Sequence, residues 1–153
     1  MVKNYTCLPD SFAIAIGYDR DEFIKLLGHG GIDSKGQIVG WHIQECIDVL
    51  WHHGYSCTPI EFDPSSKISE KSPIYYPFSQ KQALNRAHKY LADPYYFGAV
   101  LEGINIQSKL GHAVAYLNGV VIDPRGINYP FADCELYGFD PHTLWLITSK
   151  DNP

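Results

Sequence analysis

Three residues of this 153-residue chain can together break an amide bond: Cys7, His112 and Asp123. A cysteine attacks a carbonyl as its thiolate, and it needs a base to take the proton and a carboxylate to hold that base. Cys7 stands at the head of an apolar run that reaches Gly17. If that run is a helix, its unpaired N–H groups and its dipole both favour a negative sulfur there. His112 and Asp123 lie either side of Asn118-Gly119, a strong signal for a two-residue hairpin. The start of one hairpin strand lies beside the end of the next, so the two side chains should be neighbours. Nucleophile, base and base-orienter then occur in one chain.

Each of the three also has an ordinary reading. A lone cysteine is commonly a small buried hydrophobe. A strand histidine can be structural, and Asp123 before Pro124 is a common turn-former. The conjunction, in this order, is what favours chemistry.

Other reactive residue types carry less. Cys46 falls on the apolar face of a helix and reads as core, and Cys134 has no recognisable partner. No C-x-x-C pair occurs, and the thiols are expected to be reduced rather than paired. His52, His53 and Cys57 suggest metal ligands, but adjacent helical histidines diverge and no fourth donor has suitable spacing. Neither a metal nor an organic cofactor is expected. The Gly28–Gly36 loop lacks the Gly-Lys-Ser/Thr ending of a phosphate loop. His42-Ile43-Gln44-Glu45 begins a helix just after that loop and reads as solvated first-turn residues, with cleft lining as the alternative. Tyr75-Tyr76-Pro77-Phe78 and Tyr95-Tyr96-Phe97 read as core aromatics, with substrate contact as the alternative.

The elements that must position these groups follow from capping and periodicity. Cys7–Gly17 is an apolar helix with Pro9 tolerable in its first turn. Asp19 caps a second helix, Arg20–Leu27, which Gly28 stops. His42–His53 is amphipathic, with Ile43, Cys46, Ile47, Leu50 and Trp51 on one face. Tyr55–Phe62 reads as a strand, Asp63–Ser79 as a Pro- and Ser-rich connection, and Gln80–Ala92 as a helix. Phe97–Glu102, Gly111–Leu117, Val120–Asp123 and His142–Thr148 read as strands. Helices first and antiparallel strands second predict an α+β fold, with the N-terminal helices packed on a curled antiparallel sheet.

Composition narrows the function classes. A net charge of -5 with no basic block disfavours nucleic acid as a partner. The longest apolar stretches fall far short of the ~18 residues of a spanning helix, so no membrane partner is expected. The first residues carry no apolar signal region, which points to a cytoplasmic location. The length suits one domain over residues 1–153.

Thr6-Cys7-Leu8-Pro9-Asp10-Ser11-Phe12-Ala13 resembles the Cys-x-Pro helix start of bacterial papain-like cysteine peptidases. Gly111-His112-Ala113-Val114-Ala115-Tyr116, followed by Val121-Ile122-Asp123-Pro124, resembles their Gly-His and Asp-Pro strand pair. The closest branch is the bacteriocin-processing (double-glycine) peptidases, and a bacterial or phage source would suit it. The resemblance implies a single papain-like cysteine hydrolase domain that cleaves a peptide or isopeptide bond of a protein or peptide through a thioester. Cys7, His112 and Asp123 would be its catalytic residues. One departure stands out: the family places a glutamine shortly before the cysteine to help form the oxyanion hole, and no glutamine precedes Cys7. Asn4 and Tyr5 are the candidates for that donor, beside the backbone N–H of Cys7. A glutamine deamidase or transglutaminase-like enzyme is the alternative, and a non-catalytic binding module on the same scaffold is another. Specificity would reside in the Gly28–Gly40 and Asp63–Ser79 loops.

Overall fold

The computed structural model describes residues 4–61 and 96–150. A 3-10 turn, Asn4–Thr6, leads directly into helix α1, Cys7–Ile16. Phe12, Ala13, Ala15 and Ile16 of α1 are buried, as the unbroken apolar run requires, and Gly17 ends the helix in a left-handed conformation. Helix α2, Arg20–Leu27, starts where Asp19 Oδ2 accepts the Glu22 N–H at 3.2 Å. Helix α3, Ile43–His52, is capped by an imidazole: His42 Nδ1 accepts the Gln44 N–H at 3.1 Å. The Glu45 carboxylate answers by accepting the His42 N–H at 2.7 Å. His42 therefore closes a helix end and does not line the cleft beside Cys7. Trp51 departs from expectation. Cys46 and Leu50 of α3 are buried, whereas Trp51 is exposed with the Lys150 ammonium 3.7 Å above its ring. Its position lies at the margin of the apolar stripe, and the cation over its face gives it an alternative to burial.

Six strands form one sheet, all neighbours antiparallel: β1 (Tyr55–Glu61), β2 (Tyr96–Asn105), β3 (Gly111–Leu117), β4 (Val120–Asp123), β5 (Ile127–Pro130) and β6 (Phe139–Ser149). Their spatial order is β1-β6-β2-β3-β4-β5, so β6 sits between β1 and β2. The architecture is α+β. Strands β3 and β4 have the expected limits and meet at Asn118-Gly119, both at positive φ, as a two-residue hairpin of this type demands. β2 and β6 run past their expected limits because their ladder continues through Ile104↔Asp140 to Asn105↔Phe139. β5 and the following 3-10 turn, Phe131–Asp133, were not expected, since Asn128 and Pro130 break strand patterning. Pro130 is tolerated there because β5 is an edge strand. The Asp63–Ser79 connection, the Gln80–Ala92 helix, Phe62 and the side chains of both tyrosine-rich segments lie outside the described residues.

Both faces of the sheet are apolar. One face packs Val100, Ala113, Ala115 and Ile147 against Phe12 and Ile16 of α1, with Phe23, Cys46 and Leu50 from the other helices. The alanines are small enough for α1 to lie close. The opposite face gathers Leu101, Val114, Tyr116, Val121, Tyr129, Phe139, Leu144 and Leu146. Among the described residues no helix is long and apolar enough to cross a membrane.

Candidate active site

The three residues singled out by type and spacing meet. Register between β3 and β4 pairs Ala115 with Ile122, Tyr116 with Val121 and Leu117 with Val120. Continuing it places Asp123 opposite Val114, with His112 the next residue on the same face of β3. His112 Nε2 lies 2.9 Å from Asp123 Oδ2. The Cys7 side chain hydrogen-bonds the same imidazole, which leaves Nδ1 as the nitrogen facing the sulfur. His112 and Asp123 are buried and Cys7 is half-buried at the first position of α1. Phe139 meets the imidazole edge-on, with ring centroids 5.5 Å apart, and restricts its rotation.

Asp123 has a further partner that the sequence reading missed. Arg125 donates to it from Nε at 3.1 Å, from Nη2 at 2.8 Å and from its backbone N–H at 2.9 Å. The motif is a turn in which an aspartate binds the backbone two residues on, and the guanidinium folds back with it. Asp-Pro-Arg-Gly announced the turn, but not that the arginine would close on the aspartate. Burial alone would raise the Asp123 pKa. Hydrogen bonds from His112 and Arg125 overcome it and hold the carboxyl well below its usual range. Burial likewise disfavours a charged His112, yet the bonds to Asp123 and Cys7 raise its pKa to about 9. The imidazolium is thus stabilised beside the Asp123 carboxylate. The other three thiols lack an imidazole partner. Burial pushes Cys57 and Cys134 up to about 12 and Cys46 higher still.

The helix start that holds Cys7 is braced from beneath. Asp10 is fully buried and accepts Thr6 Oγ1 at 2.7 Å, Arg20 Nε at 3.0 Å and Arg20 Nη2 at 2.9 Å. Ser11 Oγ donates to the Cys7 carbonyl at 2.6 Å. Two polar residues inside an apolar helix are thereby accounted for: they fix the first turn and the backbone from which the sulfur projects.

Cys7 and His112 line an open cleft of about 510 Å3. From the loop before α3 come Val39, Gly40 and Trp41, so the glycine-rich segment does reach the site. Trp41 stacks between Tyr5 and His29, with centroids 6.0 and 5.7 Å away, and its Nε1 donates to the His29 carbonyl at 3.2 Å. His29 is in turn fixed by Glu45 Oε1 at 2.6 Å. From the sheet come Glu102, Gly103, His142 and Thr143. The β2–β6 register jumps from Glu102↔Thr143 to Gly103↔Pro141, leaving His142 as the extra residue of a bulge. A Cβ at Gly103 would run into the Asp140 carbonyl oxygen, so the bulge requires glycine there. His142 Nε2 lies 3.1 Å from the buried Asp140 carboxylate. Alternation cannot foresee a bulge, which is why Glu102 and His142 were missed. Of the two oxyanion candidates, Tyr5 lines the cleft, and the Asn4 side chain lies outside the described residues. Among the described residues no three His, Cys, Asp or Glu side chains converge as metal donors. No protein-family model matches this chain, and a search of curated proteins finds no significant similarity.

Proposed function

We propose that this chain is a papain-like cysteine hydrolase that cleaves a peptide or isopeptide bond. The observation that carries the reading is the ordered contact Cys7–His112–Asp123 at the wall of an open cleft, with the imidazole favoured in its charged form. Cys7 Sγ attacks the carbonyl carbon, and the new C–S bond pushes charge onto the carbonyl oxygen. The Cys7 N–H at the helix start and Tyr5 are the donors for that oxygen. Collapse breaks the C–N bond, and His112 gives its proton to the departing nitrogen. Water then attacks the thioester and gives a proton to His112; the C–S bond breaks, the acid departs, and the proton returns to the sulfur. Asp123 stays ionised throughout and keeps Nε2–H pointed at itself, so that Nδ1 faces the sulfur.

The test is a peptide probe ending in a reactive carbonyl. It should label Cys7 and leave Cys46, Cys57 and Cys134 unmodified, with labelling lost in His112→Ala. Cys7→Ser should retain the thermal unfolding transition, because a small side chain at a helix start contributes little packing. Absence of labelling by any acyl-type probe, with capture of a partner by both wild type and Cys7→Ala, would establish a binding module instead. Ammonia release from a glutamine-bearing protein without chain cleavage would establish a deamidase.

A further inference from the structure

A second cleft, of about 440 Å3, also has His112 in its lining. It shares Tyr5, Gly111 and His112 with the first but does not include Cys7. Its remaining lining is Ile38, Asn105, Ser108, Leu110 and Arg125, with no acidic side chain among them. The polar groups share one property. Asn105 Oδ1 already accepts the Gln107 N–H at 3.0 Å and the Ser108 N–H at 2.9 Å, which leaves its amide hydrogens to donate. Ser108 Oγ accepts the Leu110 N–H at 3.3 Å, which leaves its hydroxyl hydrogen. Arg125 engages Asp123 through Nε and Nη2, which leaves Nη1. All three side chains therefore have donors to offer and their acceptors are already committed. Ile38 and Leu110, each more than half exposed, add an apolar rim. The first cleft differs in kind, since a carboxylate, Glu102, lines it.

We propose that this second cleft binds a carboxylate on the leaving-group side of the substrate. The inference rests on the assignment of Cys7 as nucleophile and His112 as proton donor. After attack the acyl carbon is bonded to Cys7, while the departing nitrogen must reach His112 to collect its proton. A cleft that contains His112 and excludes Cys7 therefore receives the amine half of the substrate. A carboxylate there meets the amide of Asn105, the hydroxyl of Ser108 and the outer nitrogen of Arg125, and apolar atoms next to it cover Ile38 and Leu110. Two sources present this chemistry: an acidic side chain on the second residue after the scissile bond, or a free chain-terminal carboxylate.

Calorimetric titration of the intact protein with short amine products separates these cases. The acidic side chain is probed by alanyl-glutamate amide against alanyl-glutamine amide, and the terminal carboxylate by alanyl-alanine against its amide. Asp123 already neutralises much of the Arg125 charge, so the acid of the relevant pair should bind about five- to tenfold more tightly than its neutral partner. Asn105→Asp keeps the acceptor that holds the 105–110 turn but replaces donor with anion, and it should abolish the preference for the acid. Ser108→Ala should reduce it. Equal binding of acid and amide in both pairs overturns the proposal, as does a preference that survives Asn105→Asp. Iodoacetamide labelling of Cys7 in the same samples reports the nucleophile separately. Rapid labelling without carboxylate preference rejects the second cleft alone, and slow labelling with preference rejects the catalytic reading on which it rests.

Discussion

Asp123 holds His112 with one oxygen edge while Arg125 holds Asp123. The cluster has a pH signature whose sign depends on which state binds the proton more tightly. The His112 pKa is raised from 6.5 to about 9, so its contribution to stability is fully present below 6.5 and is lost as pH rises through about 9. Asp123 works the other way: its pKa is lowered from 3.8, and its contribution is present above that value and lost as pH falls below it. The pair therefore stabilises the fold most between about pH 4 and 6.5. Thermal melts should show a midpoint that declines from pH 6.5 to 9, and His112→Gln should flatten that alkaline slope. An equally steep slope in the variant would remove His112 as its source. The partnership of His112 and Asp123 was legible in the sequence because a two-residue hairpin is local geometry. Arg125 was not, since a turn motif specifies backbone and leaves the direction of a long side chain open.

The helices and the β3–β4 hairpin were legible for the same reason: each is bounded by its own chemistry. Asp19, Gly17 and Gly28 delimit α1 and α2, and Asn118-Gly119 delimits the hairpin. Edge strand β5 and the bulge at His142 depend on neighbours far along the chain and leave no local mark. The same distinction applies to α1, whose first turn depends on a partner outside the helix, Arg20. Asp10→Ala would remove the acceptor of the Thr6 hydroxyl and release Arg20, which is 42% exposed and can return to water. The expected loss is about 2 kcal/mol, less than for a fully buried pair. In a chain of this size that lowers Tm by roughly 5 °C. Cys7 should also react more slowly, as its helix start frays. An unchanged melt would show that the Asp10 network contributes nothing net.

Across the whole molecule, Cys7 comes from the first helix and His112 from a strand about a hundred residues later, in a sheet where the last strand, β6, is inserted between β1 and β2. A chain ending at Gly138 lacks β6, so β1 loses its partner and β2 loses one of its two. It should show no cooperative thermal transition, and its four thiols should be alkylated at similar rates. A sharp transition in that fragment would mean that β2–β5 with the helices suffice. The placement of β6 also has a meaning in time. While the chain is being made, Cys7 leaves the ribosome about a hundred residues before His112 and waits for residues that do not yet exist. Local helices can form meanwhile, but β1 cannot join the sheet through β6 until Ser149 has emerged, as contacts so distant in sequence form late. Partly made or prematurely ended chains would then carry Cys7 without its partner, and the reactivity proposed for the pair would arise only as the fold is completed.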